Sequence, residues 1–313
     1  MENTLSKRYD EAIQSFVDKV QSDPNVVAVI VYGSVSHGLV WEKSDIDMTV
    51  VVRDQKLTQT QFGIYEDHIL LNVDLCQRSD MKRNMEKSLT GSTGHSFGAA
   101  SKIIYTRDDS LYEYFEDYKQ VGRSDVEKEL FHLANWLISD MEKIEKWLVV
   151  KRDPVYSRYY ILKAADVIAQ MEVCSRYQVP TREAILQARG LNPRLMDKFY
   201  DQPMSRAMSE EEIYGLLGDM DAYIMTHQDA IVNVLADIFG DGEIKTGTQI
   251  SRYFQSSMHA LHPILDFACE KGFLDKISQT IRLTPKSRPA VEEVAFIAGE
   301  RLNAEKGGAD NAN

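Results

Sequence analysis

Two aspartates one residue apart, in Ser44-Asp45-Ile46-Asp47, are the first feature of this chain that could do chemistry. On an extended strand the side-chain period of two puts Asp45 and Asp47 on one face and sends Ile46 the other way, into a core. Two neighbouring carboxylates repel, and burying them without a partner is costly. A divalent cation resolves the conflict, and magnesium takes oxygen ligands that it shares with substrate phosphates. Asp74, in Asn72-Val73-Asp74, lies on a later strand and can complete a three-carboxylate cluster. Upstream, Val31-Tyr32-Gly33-Ser34 places a Gly-Ser pair where a buried strand ends and a short helix is expected. Gly33 allows close backbone approach, the helix start offers free N–H groups, and the Ser34 hydroxyl adds a donor, all suited to phosphate. Two cations held by Asp45, Asp47 and Asp74 would activate an attacking oxygen and stabilise a leaving pyrophosphate. The expected cofactor is therefore Mg2+, as two ions, with Mn2+ as a substitute.

Each piece alone has a bland explanation. A Gly-Ser pair is usually a turn, an Asp-x-Asp often closes a strand, and Asp74 alone could be an exposed strand residue. The order and placement of all three carry the reading. Further along, Tyr159, Lys163, Asp166 and Gln170 recur at helical spacing on one stripe, and Glu142 and Glu145 sit on the preceding helix. For Glu142, Glu145 and Asp166 a solvated helix face is the simpler explanation. Lys163, flanked by Tyr159, Tyr160 and Asp166, is better placed to face a cleft.

The elements that must position these residues follow from periodicity. Ala12, Ile13, Phe16, Val17 and Val20 make a one-sided helix, ended by Asp23-Pro24-Asn25. Val26 to Tyr32 is a β-branched, nearly continuous apolar run, a buried strand, and Ile46 to Val52 is a second. Phe62 to Cys76 reads as a hairpin about Glu66-Asp67-His68, and Ile103 to Tyr105 as another short strand. From Val126 to Leu148 apolar residues step by three or four, a long helix stopped at Asp153-Pro154. Helices are expected from about Val155 to Arg176, near Thr181 to Ala188, and from Ser209 towards Phe239, with Ser209 and Glu212 as a capping box. In the last seventy or so residues, Thr248 to Phe254 reads as a helix and His262-Pro263 opens another, with Pro263 in its first turn. Leu274 to Leu283 reads as two short strands, Pro289 to Ala298 as a closing helix, and Glu305 to Asn313 as a polar tail.

The chain has 313 residues and a net charge of -12. That balance opposes broad nucleic-acid binding, which needs a basic surface, yet leaves room for a local triphosphate pocket. Three widely spaced cysteines, Cys76, Cys174 and Cys269, give neither a disulfide framework nor zinc spacing. The N-terminus lacks an apolar signal region, and no apolar run is long enough to span a membrane. A cytoplasmic protein is expected.

Gly33-Ser34, a ten-residue gap, Asp45-x-Asp47 and the distal Asp74 resemble the signature of the nucleotidyltransferase superfamily related to DNA polymerase beta. A compact catalytic region followed by helices is similar to the antibiotic nucleotidyltransferases, such as the kanamycin enzyme. The resemblance covers roughly the first 120 residues. It implies that Gly33 and Ser34 hold the triphosphate, that Asp45 and Asp47 bind both metals, and that Asp74 binds the catalytic one. It also implies a lysine on the triphosphate, for which Lys163 stands, and a carboxylate base from the helical region, with no motif choosing among Glu142, Glu145 and Asp166. His37 departs from the pattern, since many members carry Arg there; it leaves the charge near the phosphates pH-sensitive.

The expected class is thus α+β: a mixed-sheet nucleotidyltransferase domain over 1–121, a helical bundle over 122–221 closing the acceptor cleft, and a winged-helix-like domain over 222–313. The last rests on Glu270-Lys271-Gly272-Phe273-Leu274 and Ile281-Arg282-Leu283-Thr284-Pro285-Lys286, which resemble the recognition-helix end and wing of that family. The expected reaction moves a nucleoside monophosphate from a nucleoside triphosphate to a hydroxyl acceptor, with an aminoglycoside-like small molecule among the candidates. Neither nucleic acid nor membrane is an expected partner, and a homodimer is left open. The rival readings are a nucleotide-sensing DNA-binding regulator and a protein adenylyltransferase or antitoxin. Against the regulator, Met258 to Lys271 is poor in Lys and Arg.

Overall fold

The computed structural model describes residues 2–36, 40–87, 101–119 and 121–310. Its contacts divide the chain into two compact units, Met1–Asp125 with Tyr177–Arg182, and Val126–Arg176 with Glu183–Asn313.

The first unit is built on a mixed five-stranded sheet. Its strands are β1 (Val26–Tyr32), β2 (Ile46–Val52), β3 (Gln61–Glu66), β4 (Ile69–Gln77) and β5 (Lys102–Thr106), in the order β3-β4-β2-β1-β5. Only the β2–β4 pairing is parallel. β1 and β2 are central and covered on both faces over much of their length, which is why they read as near-continuous apolar runs. The β3–β4 hairpin turns at Asp67 and His68, both left-handed with φ of 46° and 64°, the conformation that two-residue hairpin loops demand.

Helix α1 (Glu2–Val20) lays Tyr9, Ala12, Ile13, Phe16 and Val17 on one face of the sheet, against Val29, Val31, Ile46, Met48, Val50, Leu71 and Val73. It is fastened to β3 by Glu66, which is only 8% exposed and accepts from Ser15 Oγ at 3.0 Å and Lys19 Nζ at 2.7 Å. Two short helices unforeseen from periodicity, α2 (Arg78–Lys87) and α3 (Ser110–Tyr118), cover part of the opposite face. Met81, Leu111 and Phe115 close over Ala28, Ile30 and Val51 there. Farther along that same face the register brings Tyr32 opposite Asp47, Asp47 opposite Asn72, and Thr49 opposite Asp74. One sheet face is thus apolar at one end and acidic at the other.

The second unit is helical, with a small sheet near its C-terminus. Its helices begin with α4 (Arg123–Val149) and α5 (Pro154–Ser175). The cap of α5 is Asp153, whose carboxylate accepts from Tyr156 N at 2.9 Å, with Pro154 in the first position. After α6 (Ala184–Leu191) comes α7, a helical run over 193–205 with a π-helical middle, Asp197–Asp201. The expected helix from Ser209 to Phe239 is two, α8 (Glu210–Met225) and α9 (Gln228–Phe239), and the Ser209–Glu212 capping box forms as expected.

The C-terminal region corrects several expectations. A short strand β6 (Lys245–Thr246) leads into α10 (Gly247–Tyr253) and α11 (Met258–Glu270). Pro263 lies inside α11 and not in its first turn, because the helix starts at the Ser257 cap. Leu274–Ile281 is one strand, β7, and not two. Residues 289–298, expected as a helix, include the strand β8 (Val291–Ala298), paired antiparallel with β7 from Leu274↔Ala298 to Ile281↔Val291 and with β6 at its other edge. The β-branched and aromatic content of Val291, Val294, Phe296 and Ile297 suits a strand. The closing helix, α12 (Glu300–Asp310), instead begins beyond that strand and runs into what read as a polar tail.

Inside this unit Asn135 of α4 reaches α11 at its proline. Asn135 Nδ2 donates to Ala260 O at 2.9 Å and Ile264 N donates to Asn135 Oδ1 at 3.1 Å. The buried amide so serves both ends of one i to i+4 step, beside a proline that has no N–H to offer the ladder.

Candidate active site

The acidic end of the first sheet is assembled from three segments. Asp45 stands just before β2, Asp47 within it, and Asn72 and Asp74 on the parallel neighbour β4. Asp45 is exposed; Asp47, Asn72 and Asp74 are half-buried. The Asn72 amide nitrogen donates to Asp45 Oδ2 at 2.7 Å and to Asp47 Oδ1 at 3.1 Å, so the two carboxylates converge on one group. Asp74 is held differently: its Oδ2 accepts from the Tyr32 hydroxyl at 3.0 Å. Burial first, and the bond to Asp74 second, push the Tyr32 hydroxyl up to about 12, which keeps it a donor at ordinary pH.

The loop into Asp45 is pinned from α1. Tyr9, buried beneath it, donates to Ser44 O at 2.7 Å and lies 3.1 Å from Trp41 O, while Trp41 N donates to Ser44 Oγ at 3.1 Å. Gly33 closes on the site from β1. Its φ is +75°, and a Cβ built there would lie 2.9 Å from Asp47 Oδ2. The expected helix after it is a single 3-10 turn, Gly33–Val35. One turn is too short to develop a macrodipole, so the helix-terminus part of the phosphate argument falls away and the backbone turn remains. His37 lies outside the described residues.

The residues present suit a hard divalent cation. Asp45, Asp47 and Asp74 offer only oxygen donors, and among the described residues no Lys or Arg forms an ion pair with any of them. No three His, Cys, Asp or Glu side chains among the described residues stand together as a ready cage. Bringing Asp74 to the pair therefore takes a turn of its side chain away from Tyr32, or substrate phosphates supply the missing oxygens. Beside Asn72 and Asp74 a cavity of ≈ 330 Å³ opens, bordered by Gln61, Phe62, Gly63 and Val73. Gly63 pairs with Asn72, and its lack of a side chain leaves that space free.

The other expected residues belong to the second unit. Lys163 pairs with Asp140 at 3.4 Å and lies 5.0 Å from the Tyr160 ring centroid. Burial pushes the Asp140 carboxyl up, against the pull of Lys163. Asp166 accepts from Gln170 Nε2 at 2.8 Å. Glu142 and Glu145 line a cavity of ≈ 290 Å³ with Tyr214, Leu217, Phe267 and Glu270. Sequence reasoning missed Tyr9, Tyr32 and Asn72 as site residues. Only Asn72 carried a signal: it shares the strand face of Asp74, two positions away.

Residues 13–110 match the family model described as "Polymerase beta, Nucleotidyltransferase". Among solved structures, a nucleotidyltransferase-like protein from Exiguobacterium sibiricum 255-15 is similar, with a TM-score of 0.63 and 14% identity over 93% of this chain and 99% of that one. At that identity the likeness concerns the fold. Spectinomycin adenyltransferase AAD(9) from Enterococcus faecialis, solved with ATP and spectinomycin, aligns over 70% of this chain and 99% of its own at 12% identity, but its TM-score of 0.31 carries no argument. No curated protein matches the chain. The matched segment contains all five strands of the first sheet together with Tyr32, Gly33, Asp45, Asp47, Asn72 and Asp74, so the chain carries a polymerase beta-like nucleotidyltransferase domain.

Proposed function

We propose that the chain transfers a nucleoside monophosphate from a nucleoside triphosphate to the hydroxyl of a small-molecule acceptor and releases pyrophosphate. The observation that carries this is the convergence of Asp45 and Asp47 on one amide, on the sheet face that also bears Asp74, with no protein cation paired to them among the described residues. Asp45, Asp47 and Asp74 would hold Mg2+, two ions in the full complex, with Mn2+ as a substitute. Bound there, the cations supply charge neutralisation for the phosphates and the attacking oxygen.

The chain's own groups do the rest. Gly33 lets the β1 turn approach a phosphate, and Ser34, whose side chain lies outside the described residues, is assigned as a hydroxyl donor. Tyr9 keeps the Asp45 loop in place. Lys163 is assigned to the triphosphate, and Glu142, Glu145 and Asp166 remain the candidates for a base on the acceptor. The helical segment 122–221 is assigned to the acceptor, and 222–313, which holds a three-stranded sheet, to a winged-helix-like role in packing or at the substrate cleft.

The test is pyrophosphate release with each nucleoside triphosphate and magnesium across a library of small hydroxyl acceptors. Wild type should turn over with at least one pair. Asp45→Asn and Asp47→Asn should keep the fold and lose about a hundredfold or more of turnover, because an amide cannot neutralise a dication. Undiminished, magnesium-dependent release by either variant would overturn the assignment.

A further inference from the structure

Asn72 has no part in the reaction outlined above, yet it is the residue on which the acid pair converges. It sits on β4 directly across from Asp47 in the parallel register. Its single amide nitrogen serves Asp45 Oδ2 at 2.7 Å and Asp47 Oδ1 at 3.1 Å. The orientation follows from chemistry, since the amide oxygen in that place would face two anionic oxygens. Among the described residues no other group donates a hydrogen bond to either carboxylate. Asp45 is exposed and stands on a loop, so without this bond its side chain is free to swing away from the like charge of Asp47.

We propose that Asn72 is a positioning residue for the metal site: its carboxamide holds Asp45 and Asp47 converged before a divalent cation arrives. The inference rests on the reading of those two aspartates as metal ligands. The two N–H bonds of one amide turn a repulsive pair into a pair with a shared attractive partner, and the loss of side-chain freedom is borne before binding instead of during it. The choice of side chain fits. A lysine here would neutralise the acids and compete with the cation, whereas a neutral amide gives way. Rotation about its terminal torsion exchanges the nitrogen for a hard oxygen, which a divalent cation accepts. Gly63, opposite Asn72 on β3, and the adjoining cavity leave room for that rotation.

The experiment is Mn2+ binding to the full, nucleotide-free chain, read as loss of the free-ion electron paramagnetic resonance signal, followed by the Mg2+ dependence of pyrophosphate release. The variants are Asn72→Ala and Asn72→Ser, whose hydroxyl is too short to reach both acids, with Asp45→Asn as the control. Both Asn72 variants should weaken Mn2+ binding about tenfold and raise the Mg2+ needed for half-maximal turnover by a similar factor, while kcat at saturating Mg2+ falls less than about threefold. A merely structural role would lower kcat at every metal concentration. Unchanged Mn2+ affinity in the Asn72 variants, with binding lost in Asp45→Asn, would overturn this inference alone. A kcat loss that excess Mg2+ does not restore would overturn it as well. Mn2+ binding insensitive to Asp45→Asn would instead overturn the metal-ligand reading beneath it. Should Asn72→Ala fail to fold, Asn72→Ser carries the same expectation.

Discussion

At the scale of single residues, what distinguishes this site is how little space separates the backbone from the acids. Gly33 is left-handed, and a Cβ there would press on the carboxylate of Asp47. The carboxylate is the end of a mobile side chain, so it would yield at little cost to the fold. Yet it is the group whose position matters. Gly33→Ala should therefore lower the melting temperature modestly, by the equivalent of about 1–2 kcal/mol for the left-handed backbone, while turnover falls by about tenfold or more through displacement of Asp47. Thermal melts and initial rates on the same preparation separate the two effects. A variant that loses stability and activity in proportion would place the importance of Gly33 in folding and not in the site. That Asp45 and Asp47 lie close together, with Gly33 ending the strand beside them, was legible in the sequence, because type and spacing alone select that arrangement. Tyr32 was not, and Asn72 only as a neighbour on the strand face of Asp74, because an asparagine and a tyrosine on strands have many ordinary uses until the register shows what they touch.

At the scale of elements, local signals located structure well where the element satisfies itself. The Ser209–Glu212 box formed as read, since capping depends on a few adjacent residues, and Asp153-Pro154, read as the stop of one helix, also caps the next. Strand β8 was misread because a strand's partners lie elsewhere in the chain. Helix α11 shows the same dependence in another form. Its proline cannot donate to His259 O, and at the next step of the ladder Asn135 of α4 supplies an amide to Ala260 O and Ile264 N. Asn135→Ala should cost about 1–3 kcal/mol in urea unfolding, the penalty for buried backbone groups left without partners. An unchanged midpoint would mean that α11 closes that step by itself.

At the scale of the whole molecule, charge is distributed so that two lysines of the C-terminal region are already engaged. Lys271 pairs with Asp221 at 2.7 Å and Lys276 with Asp266 at 2.8 Å. These lysines, near the end of α11 and on β7, would otherwise be first in line for a nucleic-acid backbone, so the regulator reading draws no support from them. Overall stability should also carry a pH signature from Glu129. It is 6% exposed on α4, and burial pushes its carboxyl from 4.5 up to about 7. Between those values the folded chain keeps a proton that the unfolded chain has released, so this group's contribution falls as the pH rises through that window. Glu129→Gln should flatten the dependence and exceed wild type at pH ~8 by up to about 3 kcal/mol. Urea midpoints across the window check this, and parallel curves for the two proteins would rule it out.

By itself the sequence determined the strands Val26–Tyr32 and Ile46–Val52 to the residue, the hairpin at Asp67-His68, the long helix before Asp153, and the acid pair with its glycine. Each depends on a side-chain period or a turn preference that operates over a few neighbouring residues. Only the tertiary structure decided that Asn72 bridges Asp45 and Asp47, that Tyr32 holds Asp74 aside, and that Tyr9 pins the Asp45 loop. It also decided that 291–298 is a strand. Those contacts join residues that are distant in the chain, and strand register sets most of them. A slip of one residue would turn every side chain of a strand to the opposite face, so no local pattern could have specified them.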